Sequence, residues 1–435
     1  MTYGEAVKFL YDLEGFGIKL GLDNVTRLLG RVGDPHLAFP AIHIAGTNGK
    51  GSTAAMLGST LTAAGYKVGL YTSPHLVDFR ERICIGGKKI PKARVVQYVE
   101  MIKPAVIELK CTFFESVTAL GFLYFAEQGI DLAVVEVGMG GRLDATNVVK
   151  PLLTIITPID YDHSEHLGRD LISIAREKGG IIKKGVELVT DGSQPQTADV
   201  LKEICRRVQA PFVDSSSTWD LGVPRFYRRF TSFYPKRSNT TPTPLRGFGK
   251  FPWVKLTLPG THQMANVRLV LSACERLKFK HFNIKIEHII EGLKKVRWPG
   301  RMQLVGENPL ILLDVAHNPG GIKALRENLI QLFSYNKLIL VFGVLKHKDY
   351  RGMIREMAPI CDHVIPVEPQ RKGALPSTEL AREFSKCILK VSPFKGVAKG
   401  FSYALGLASK DDLVCVSGSH FTVGEALQAI GIKSP

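Results

Sequence analysis

Short, almost wholly apolar runs recur along the chain, separated by stretches of helical period. Five runs come early: FPAIHIAG (39–46), YKVGLYTS (66–73), IDLAVVEVG (130–138), LLTIITPI (152–159) and VELVTDG (186–192). None alternates strictly between apolar and polar residues, so each predicts a strand buried on both faces. Between several of them STAAMLGSTLTAAG (52–65), FESVTALGFLYFAEQG (114–129) and SIAREKGGIIKKG (173–185) predict helices. Strands joined by helices imply a parallel sheet with helices on both sides. A second series follows: LILLDVA (310–316), KLILVFGVL (337–345), DHVIPVE (362–368) and DLVCVSGS (412–419), with GGIKALRENLIQLF (320–333) as a helix. Between the series, Trp298-Pro299-Gly300 in KKVRWPGRMQLV breaks a helical pattern. The expected architecture is a larger N-terminal α/β domain with a mostly parallel sheet, residues 1–296, and a smaller C-terminal α/β domain, residues 297–435.

Length and charge narrow this picture little. At 435 residues two or three domains are expected. Lys and Arg total 57 against 40 Asp and Glu, a net charge of +17, which fits anionic partners or a generally basic surface. The seven scattered cysteines include no C-x-x-C pair, so a reduced, cytoplasmic setting is expected. No apolar run approaches the ~20 residues of a membrane span, and the N-terminus lacks a signal-peptide core. Residues 224–252 stand apart, with seven Lys or Arg, interleaved aromatics and no acid. Such a composition can serve single-stranded nucleic acid. With no RNA-binding module nearby, it reads as an irregular β-rich excursion with a solvated basic face.

Candidate chemistry begins in HIAGTNGKGSTAAML (43–57), a strand, a glycine-rich turn and a helix. This is the context of a phosphate loop, but the usual G-x-x-x-x-G-K-[ST] pattern fails: Ile44 holds the first glycine position and Gly51 the hydroxyl position. Gly46, Gly49 and Gly51 let amides face a polyphosphate at a helix N-terminus; Lys50 can reach the outer phosphates and Ser52 can offer a hydroxyl to Mg²⁺. Glu136 ends the apolar run LAVVE, where a buried carboxylate calls for a cation. TPIDYDHSEHLG ends another strand in Asp160, Asp162, His163, Glu165 and His166; chemistry does not choose among the five, and no Cys/His set supports zinc. Lys178 reads as a solvated lysine at a helix C-terminus. Arg301, Asp314 and His317 sit where the second domain could close over a nucleotide, or simply cap loops.

Taken in order, FGIKLGL, HIAGTNGKGST, GYKVGLYTSPHLVDFRERI, VVEVGMGGRLDATNVV, DHSEHLG, EKGGIIK, LPGTHQMANV, WPGRMQ and LLDVAHNPGG resemble the folylpolyglutamate synthase and dihydrofolate synthase family, within the Mur ligases. The likeness covers nearly the whole chain, and YTSPHL with GGRLDATN is its most specific part. It implies a P-loop-type ATP-binding domain followed by a Rossmann-like glutamate-ligase domain. It implies ATP- and Mg²⁺-dependent ligation of L-glutamate to folate, and to dihydropteroate, through an acyl phosphate, by a cytoplasmic monomer serving folate and one-carbon metabolism. On matching positions, Gly49, Lys50, Gly51 and Ser52 would hold ATP phosphates, with Asn266, Arg301, Asp314 and His317 as nucleotide contacts. Lys50, Lys178 and His317 would be catalytic, with Lys178 carbamylated. Ser73 and Glu136 would bind one Mg²⁺ and His163 a second. The pterin side would take Gly17, Ile18, Lys19, Thr112, Phe113, Phe114, Glu115, Leu143, Asp144 and Ala145, with Arg82 facing a carboxylate. Departures are Gly179 beside Lys178, His420-Phe421 near the C-terminus, and the basic excursion. The competing expectations are another Mur-type amino-acid ligase, which TSPHL and GGRLDATN oppose, and an ATP-dependent nucleic-acid-binding protein, which the net charge suggests.

Overall fold

The computed structural model describes residues 1–17, 19–162, 164–168, 170–238 and 248–432. Its larger sheet has eight strands: β1 (Ala41–Ala45), β2 (Val68–Tyr71), β3 (Ile83–Ile85), β4 (Lys88–Lys89), β5 (Leu132–Glu136), β6 (Pro151–Ile156), β7 (Leu188–Thr190) and β8 (Phe212–Asp214). Their order is β4-β3-β2-β5-β1-β6-β7-β8. Every pairing from β2 to β8 is parallel, and β3 and β4 add an antiparallel edge. The reason β5 does not alternate is visible in its packing. Leu132 and Val134 enter the core on one side of the sheet, Ala133 and Val135 the core on the other. Both faces are therefore dry, and every position selects an apolar residue.

One face carries the helix Lys50–Ala63, almost wholly buried, under the helices Gln263–Phe279 and Ile286–Lys295. Ile286–Lys295 crosses it through Gly292, whose carbonyl accepts from Ser59 Oγ at 2.8 Å. A Cβ at Gly292 would lie 2.4 Å from Thr60 Cα, so the helix backbones touch because no side chain intervenes. Gly292→Ala is expected to destabilise the fold by about 1–3 kcal/mol through overpacking. Denaturant unfolding measures this as a lowered midpoint at similar slope; an unchanged midpoint would show that the helices separate freely. The other face carries Lys92–Leu109 and Phe113–Glu127, joined by the N-terminal helix Tyr3–Asp12.

Five short strands follow: β9 (Trp219–Asp220), β10 (Arg225–Phe226), β11 (Thr231–Phe233), β12 (Lys236–Arg237) and β13 (Val254–Leu256). They pair antiparallel, β10-β11-β13 and β12-β9. The basic excursion is thus β-rich, but not simply solvated. Arg229 pairs with Glu307 at 2.5 Å, and Arg237 with the fully buried Glu275 at 2.9 Å. The stretch 239–247 lies outside the described residues.

The second sheet comprises β14 (Gln303–Glu307), β15 (Leu310–Leu313), β16 (Leu338–Phe342), β17 (His363–Pro366) and β18 (Leu413–Ser417), ordered β14-β15-β18-β16-β17. Only β14 is antiparallel to its neighbour. Leu312 and Leu340 face one core, Leu313 and Val341 the other, again a sheet covered on both sides. The helical pattern expected over 173–185 is shorter in the structure: the helix is Leu171–Gly179. At its end Gly180 packs against the Arg142 backbone, where a Cβ would meet Arg142 Cα at 2.5 Å.

Candidate active site

Strand register gathers the chemistry at one edge. Ile44 pairs with Glu136, Ala45 with Ile156 and Tyr71 with Val135, so β1, β2, β5 and β6 end together. The loops after them begin with Gly46, Thr72-Ser73, Val137-Gly138 and Thr157, at the edge where open α/β sheets take ligands. A cavity of about 790 Å³ opens there, between the two sheets. It is lined by Gly17, Lys19, Gly49, Lys50, Gly51, Ser52, Ser73, Arg82, Thr112, Phe113, Phe114, Glu115, Glu136, Leu143, Asp144, Ala145, Lys178, Asn266, Arg301, Asp314 and His317, together with Asp162, but not by Asp160 or Glu165. Ile18 and His163 lie outside the described residues.

The loop after β1 is shaped by close approaches. Gly46 (φ 143°) has Thr157 Oγ1 where a Cβ would be, 1.8 Å away. Gly49 (φ 90°) opens the helix Lys50–Ala63, and a Cβ there would meet Asn266 Oδ1 at 2.3 Å. A Cβ on Gly51 would sit 3.0 Å from the indole of Trp298, so the ring crowds the space that a serine or threonine would need. This gives the departure from the usual phosphate loop a packing reason. Lys50 Nζ donates to the carbonyls of Gly46 (3.2 Å) and Thr47 (3.1 Å), and Asn266 Oδ1 accepts from Thr53 Oγ1 at 3.3 Å.

Glu136 is 4% exposed, and its Oε2 accepts from the Ser73 amide at 3.1 Å. Burial pushes its carboxyl above the ordinary value, opposed by Lys50, the Ser73 amide, Arg301 and Arg82. It forms no ion pair among the described residues, although buried carboxylates call for a cation. Together with the hydroxyls of Ser73 and Ser52, it offers the hard oxygen donors that Mg²⁺ takes alongside phosphate. No group of three or more His, Cys, Asp or Glu is arranged for a metal among the described residues.

Lys178 corrects the sequence reading. It is 3% exposed, and its Nζ donates to the Gly46 carbonyl at 2.8 Å. The helix bearing it runs beneath the loop, which turns its last residues inward. Burial lowers its amine to about 7, with Lys50 adding to the effect and Asp162 and Asp144 opposing it.

From the second sheet, Asp314 follows β15 and accepts from the amides of Met302 (2.8 Å) and Ala316 (2.9 Å). Arg301 is held down from its ordinary value by burial, while Asp314 and Glu136 favour its charge. His317 Nδ1 donates to the Val315 carbonyl at 2.9 Å, and its Nε2 lies 3.6 Å from Asp162. Burial keeps this imidazole neutral more readily than a free one. Asp162 in turn accepts from Lys348 Nζ at 2.6 Å. Asp162 is thereby distinguished within TPIDYDHSEHLG. The Asp160 backbone exchanges hydrogen bonds with the Thr47 hydroxyl, and Glu165 is exposed.

The remaining candidates have structural partners as well as a place in the cavity. Thr112 and Glu115 form a reciprocal capping box that starts the helix Phe113–Glu127. Asp144 accepts from the amides of Met139 (2.8 Å) and Thr146 (3.0 Å) and so shapes the glycine-rich turn. Phe114 fills the space above Gly138, and Lys19 Nζ donates to the Lys110 carbonyl at 2.9 Å. Sequence reading missed two side-chain pairs that bind the halves together across the cavity, Asp162–Lys348 and Glu14–Arg371. Lys348 and Arg371 lie in loops of ordinary composition, with no motif to mark them.

Comparison places this geometry among known proteins. Residues 44–274 match the Mur ligase middle domain, and residues 300–420 match the Mur ligase glutamate ligase domain. The chain is 38% identical over 367 residues to a dihydrofolate synthase/folylpolyglutamate synthase of Bacillus subtilis, covering 82% of this chain and 83% of that protein. Its fold is similar to that of Mycobacterium tuberculosis folylpolyglutamate synthase complexed with ADP and AMPPCP, with a TM-score of 0.88, 30% identity and coverage of 99% and 100% of the two chains. Escherichia coli FolC in complex with DHPP and ADP is similar too, with a TM-score of 0.84, 29% identity and coverage of 98% and 97%.

Proposed function

This chain belongs to the folylpolyglutamate synthase/dihydrofolate synthase family and is an ATP-dependent acid–amino-acid ligase, and from that premise we propose that it joins L-glutamate to the carboxylate of a folate, and to that of dihydropteroate, through an acyl phosphate. The observation that carries the reading is one cavity that combines a glycine-rich loop with Lys50, a buried Glu136 with no ion pair among the described residues, and residues of the second sheet. In this reading residues 1–296 form the ATP-binding body and 297–435 the glutamate-ligase unit. Gly49 to Ser52 cradle the phosphates, Lys50 neutralises charge that develops on the γ-phosphoryl oxygens, and Asn266, Arg301 and Asp314 hold the nucleotide. The acceptor carboxylate attacks the γ-phosphorus with release of ADP; the amine of L-glutamate then attacks the acyl carbon and phosphate leaves. Mg²⁺ held here would supply positive charge to offset the phosphate charge. Ser73 and Glu136 are its proposed ligands, and His163 is proposed for a second ion. His317, held toward its neutral form by burial and fixed by Val315, is proposed to orient the reacting groups. Gly17 to Lys19, Thr112 to Glu115 and Leu143 to Ala145 are proposed for the pterin side, with Arg82 proposed to face a carboxylate. We place the enzyme in the cytosol as a monomer, a setting that suits its seven unpaired cysteines. No helix among the described residues is long and apolar enough to cross a membrane.

The test is to incubate purified protein with ATP, Mg²⁺ and L-glutamate, adding dihydropteroate or tetrahydrofolate separately. ADP release that needs both acceptor and glutamate, with a product one glutamyl residue heavier, supports the reading; acceptor-independent hydrolysis alone contradicts it. Within this assay, Glu136→Gln keeps the shape and removes the anion. The Mg²⁺ concentration needed for half-maximal rate is expected to rise about tenfold or more, as a charged partner is lost. An unchanged Mg²⁺ dependence would leave Glu136 a structural acid.

A further inference from the structure

We propose that Arg371 is a carboxylate-reading residue, held in reserve by Glu14, that favours acceptors carrying a glutamyl α-carboxylate over acceptors without one. The inference rests on the ligase reading and specifies its acceptor preference. Arg371 follows β17 in the second unit and reaches across the cavity to the N-terminal segment, where its Nη2 lies 2.5 Å from Glu14 Oε1. Its guanidinium lies over the Phe421 ring at 4.8 Å and near Tyr11 at 5.9 Å. Tyr11 stacks on Phe113, with centroids 5.4 Å apart and planes 9° from parallel. The same Phe113 ring carries the Arg82 guanidinium at 5.2 Å.

The two cations at this place are unequally paired. Arg82 is 8% exposed and forms no ion pair among the described residues; its Nε donates to His75 Nδ1 at 2.8 Å. His75 also bonds Tyr11 Oη through Nε2 at 3.0 Å, and burial, reinforced by Arg82 and Arg371, pushes it down to about 3, so it stays neutral. Arg371 therefore has the partly solvated Glu14 as its ion-pair partner, while Arg82 beside it has none among the described residues. A buried cation without a partner is costly, and a second carboxylate would relieve it. The Glu14–Arg371 pair is partly solvated, with both side chains 28% exposed, so exchange of Glu14 for an incoming carboxylate costs little. Arg82 is also among the cations that favour the charge of Glu136, so this aromatic-walled anion site adjoins the phosphate end of the cavity.

The chemistry of the acceptors makes such a site selective. Pteroate and dihydropteroate carry one carboxylate, the one that reacts. A pteroylglutamate carries an additional α-carboxylate beside the reacting group. A planar guanidinium held over an aromatic ring takes that carboxylate in two-point fashion. The experiment is titration calorimetry of the full chain with pteroylglutamate and with pteroate, in the presence of a non-hydrolysable ATP analogue, for the parent, Arg371→Gln and Glu14→Gln. The parent should prefer pteroylglutamate. Arg371→Gln should reduce that preference by about 10- to 100-fold, the size of one charge-assisted contact. Glu14→Gln should increase it, because the reserve carboxylate is gone. A parent without preference, a ratio unmoved in Arg371→Gln because both acceptors weaken alike, or a ratio unmoved or lowered in Glu14→Gln would each overturn the proposal. A parent that shows the preference but releases no ADP with glutamate would instead count against the ligase reading, leaving the carboxylate site standing.

Discussion

Lys50→Ala should lower the ligation rate by about 10²–10³-fold or more while leaving the fold intact. The estimate comes from removing one preorganised charge at a site where negative charge develops in a water-poor setting. Lys50 is the first residue of its helix, and among the described residues its ammonium hydrogen-bonds to two loop carbonyls, so truncation removes a point charge and little packing. Those carbonyl bonds show the ammonium folded onto its own loop, within reach of any phosphate the loop amides hold. Lys50→Arg is a poor rescue, because a guanidinium fork does not fit a compact site made for an ammonium. Turnover with ADP detection, together with thermal unfolding of the same samples, checks the claim. A variant that unfolds like the parent and turns over at near-parent rate under saturating ATP removes Lys50 from the chemistry.

Lys178→Ala should cost a comparable 10²–10³-fold, at least about tenfold beyond any stability effect, for a different reason. A lysine amine ordinarily holds its proton until pH ~10.4, which blocks attack on CO₂. Here burial brings the amine down to about 7, so much of it is neutral at physiological pH. The neutral nitrogen can add to CO₂, forming an N–C bond and releasing one proton, and the resulting carbamate is an anion beside Lys50. The sign of the pH effect follows. Below about pH 7 the amine binds a proton, carbamate formation fails and activity falls; above it the neutral fraction is already high and activity levels off. Added bicarbonate should raise the rate near pH 6.5 more than near pH 8. Lys178→Arg cannot form the carbamate and should not rescue, whereas acetate, filling the vacated space with a carboxylate, should partly restore Lys178→Ala. An Arg variant as active as the parent, or an observed bare ammonium in a substrate-bound structure, would end this account.

The two roles differ in how plainly the sequence carried them. The strand cores were legible because both sheets are covered on both faces, so LAVVE and LILVF admit no polar residue until the ends where ligands bind. Lys50 and Glu136 were legible for the same reason, one in a glycine-rich turn and the other at the end of a dry strand. Lys178 was not. Its neighbours Glu177 and Arg176 look like an exposed helix end, and only the packing of that helix under Gly46 buries the amine. The hairpin of β3 and β4 was missed because its strands are three and two residues long, too short for a period to register. Its Gly86-Gly87 turn, with φ of 55° and 79°, was the available signal. Asp162–Lys348 and Glu14–Arg371 were beyond reach, since each joins residues 186 or 357 positions apart through tertiary packing alone.

The central claim is that this cavity activates a carboxylate as an acyl phosphate, and oxygen isotope transfer tests it most directly. An acceptor labelled with ¹⁸O in its reacting carboxylate is converted with ATP, Mg²⁺ and L-glutamate, and the inorganic phosphate released is analysed by mass. Attack of the carboxylate on the γ-phosphorus, followed by displacement by the amine, moves one labelled oxygen into each phosphate. One ¹⁸O per phosphate, in step with ligation, is the predicted result. Ligation that proceeds with unlabelled phosphate, or that yields AMP and pyrophosphate in place of ADP and phosphate, would contradict it.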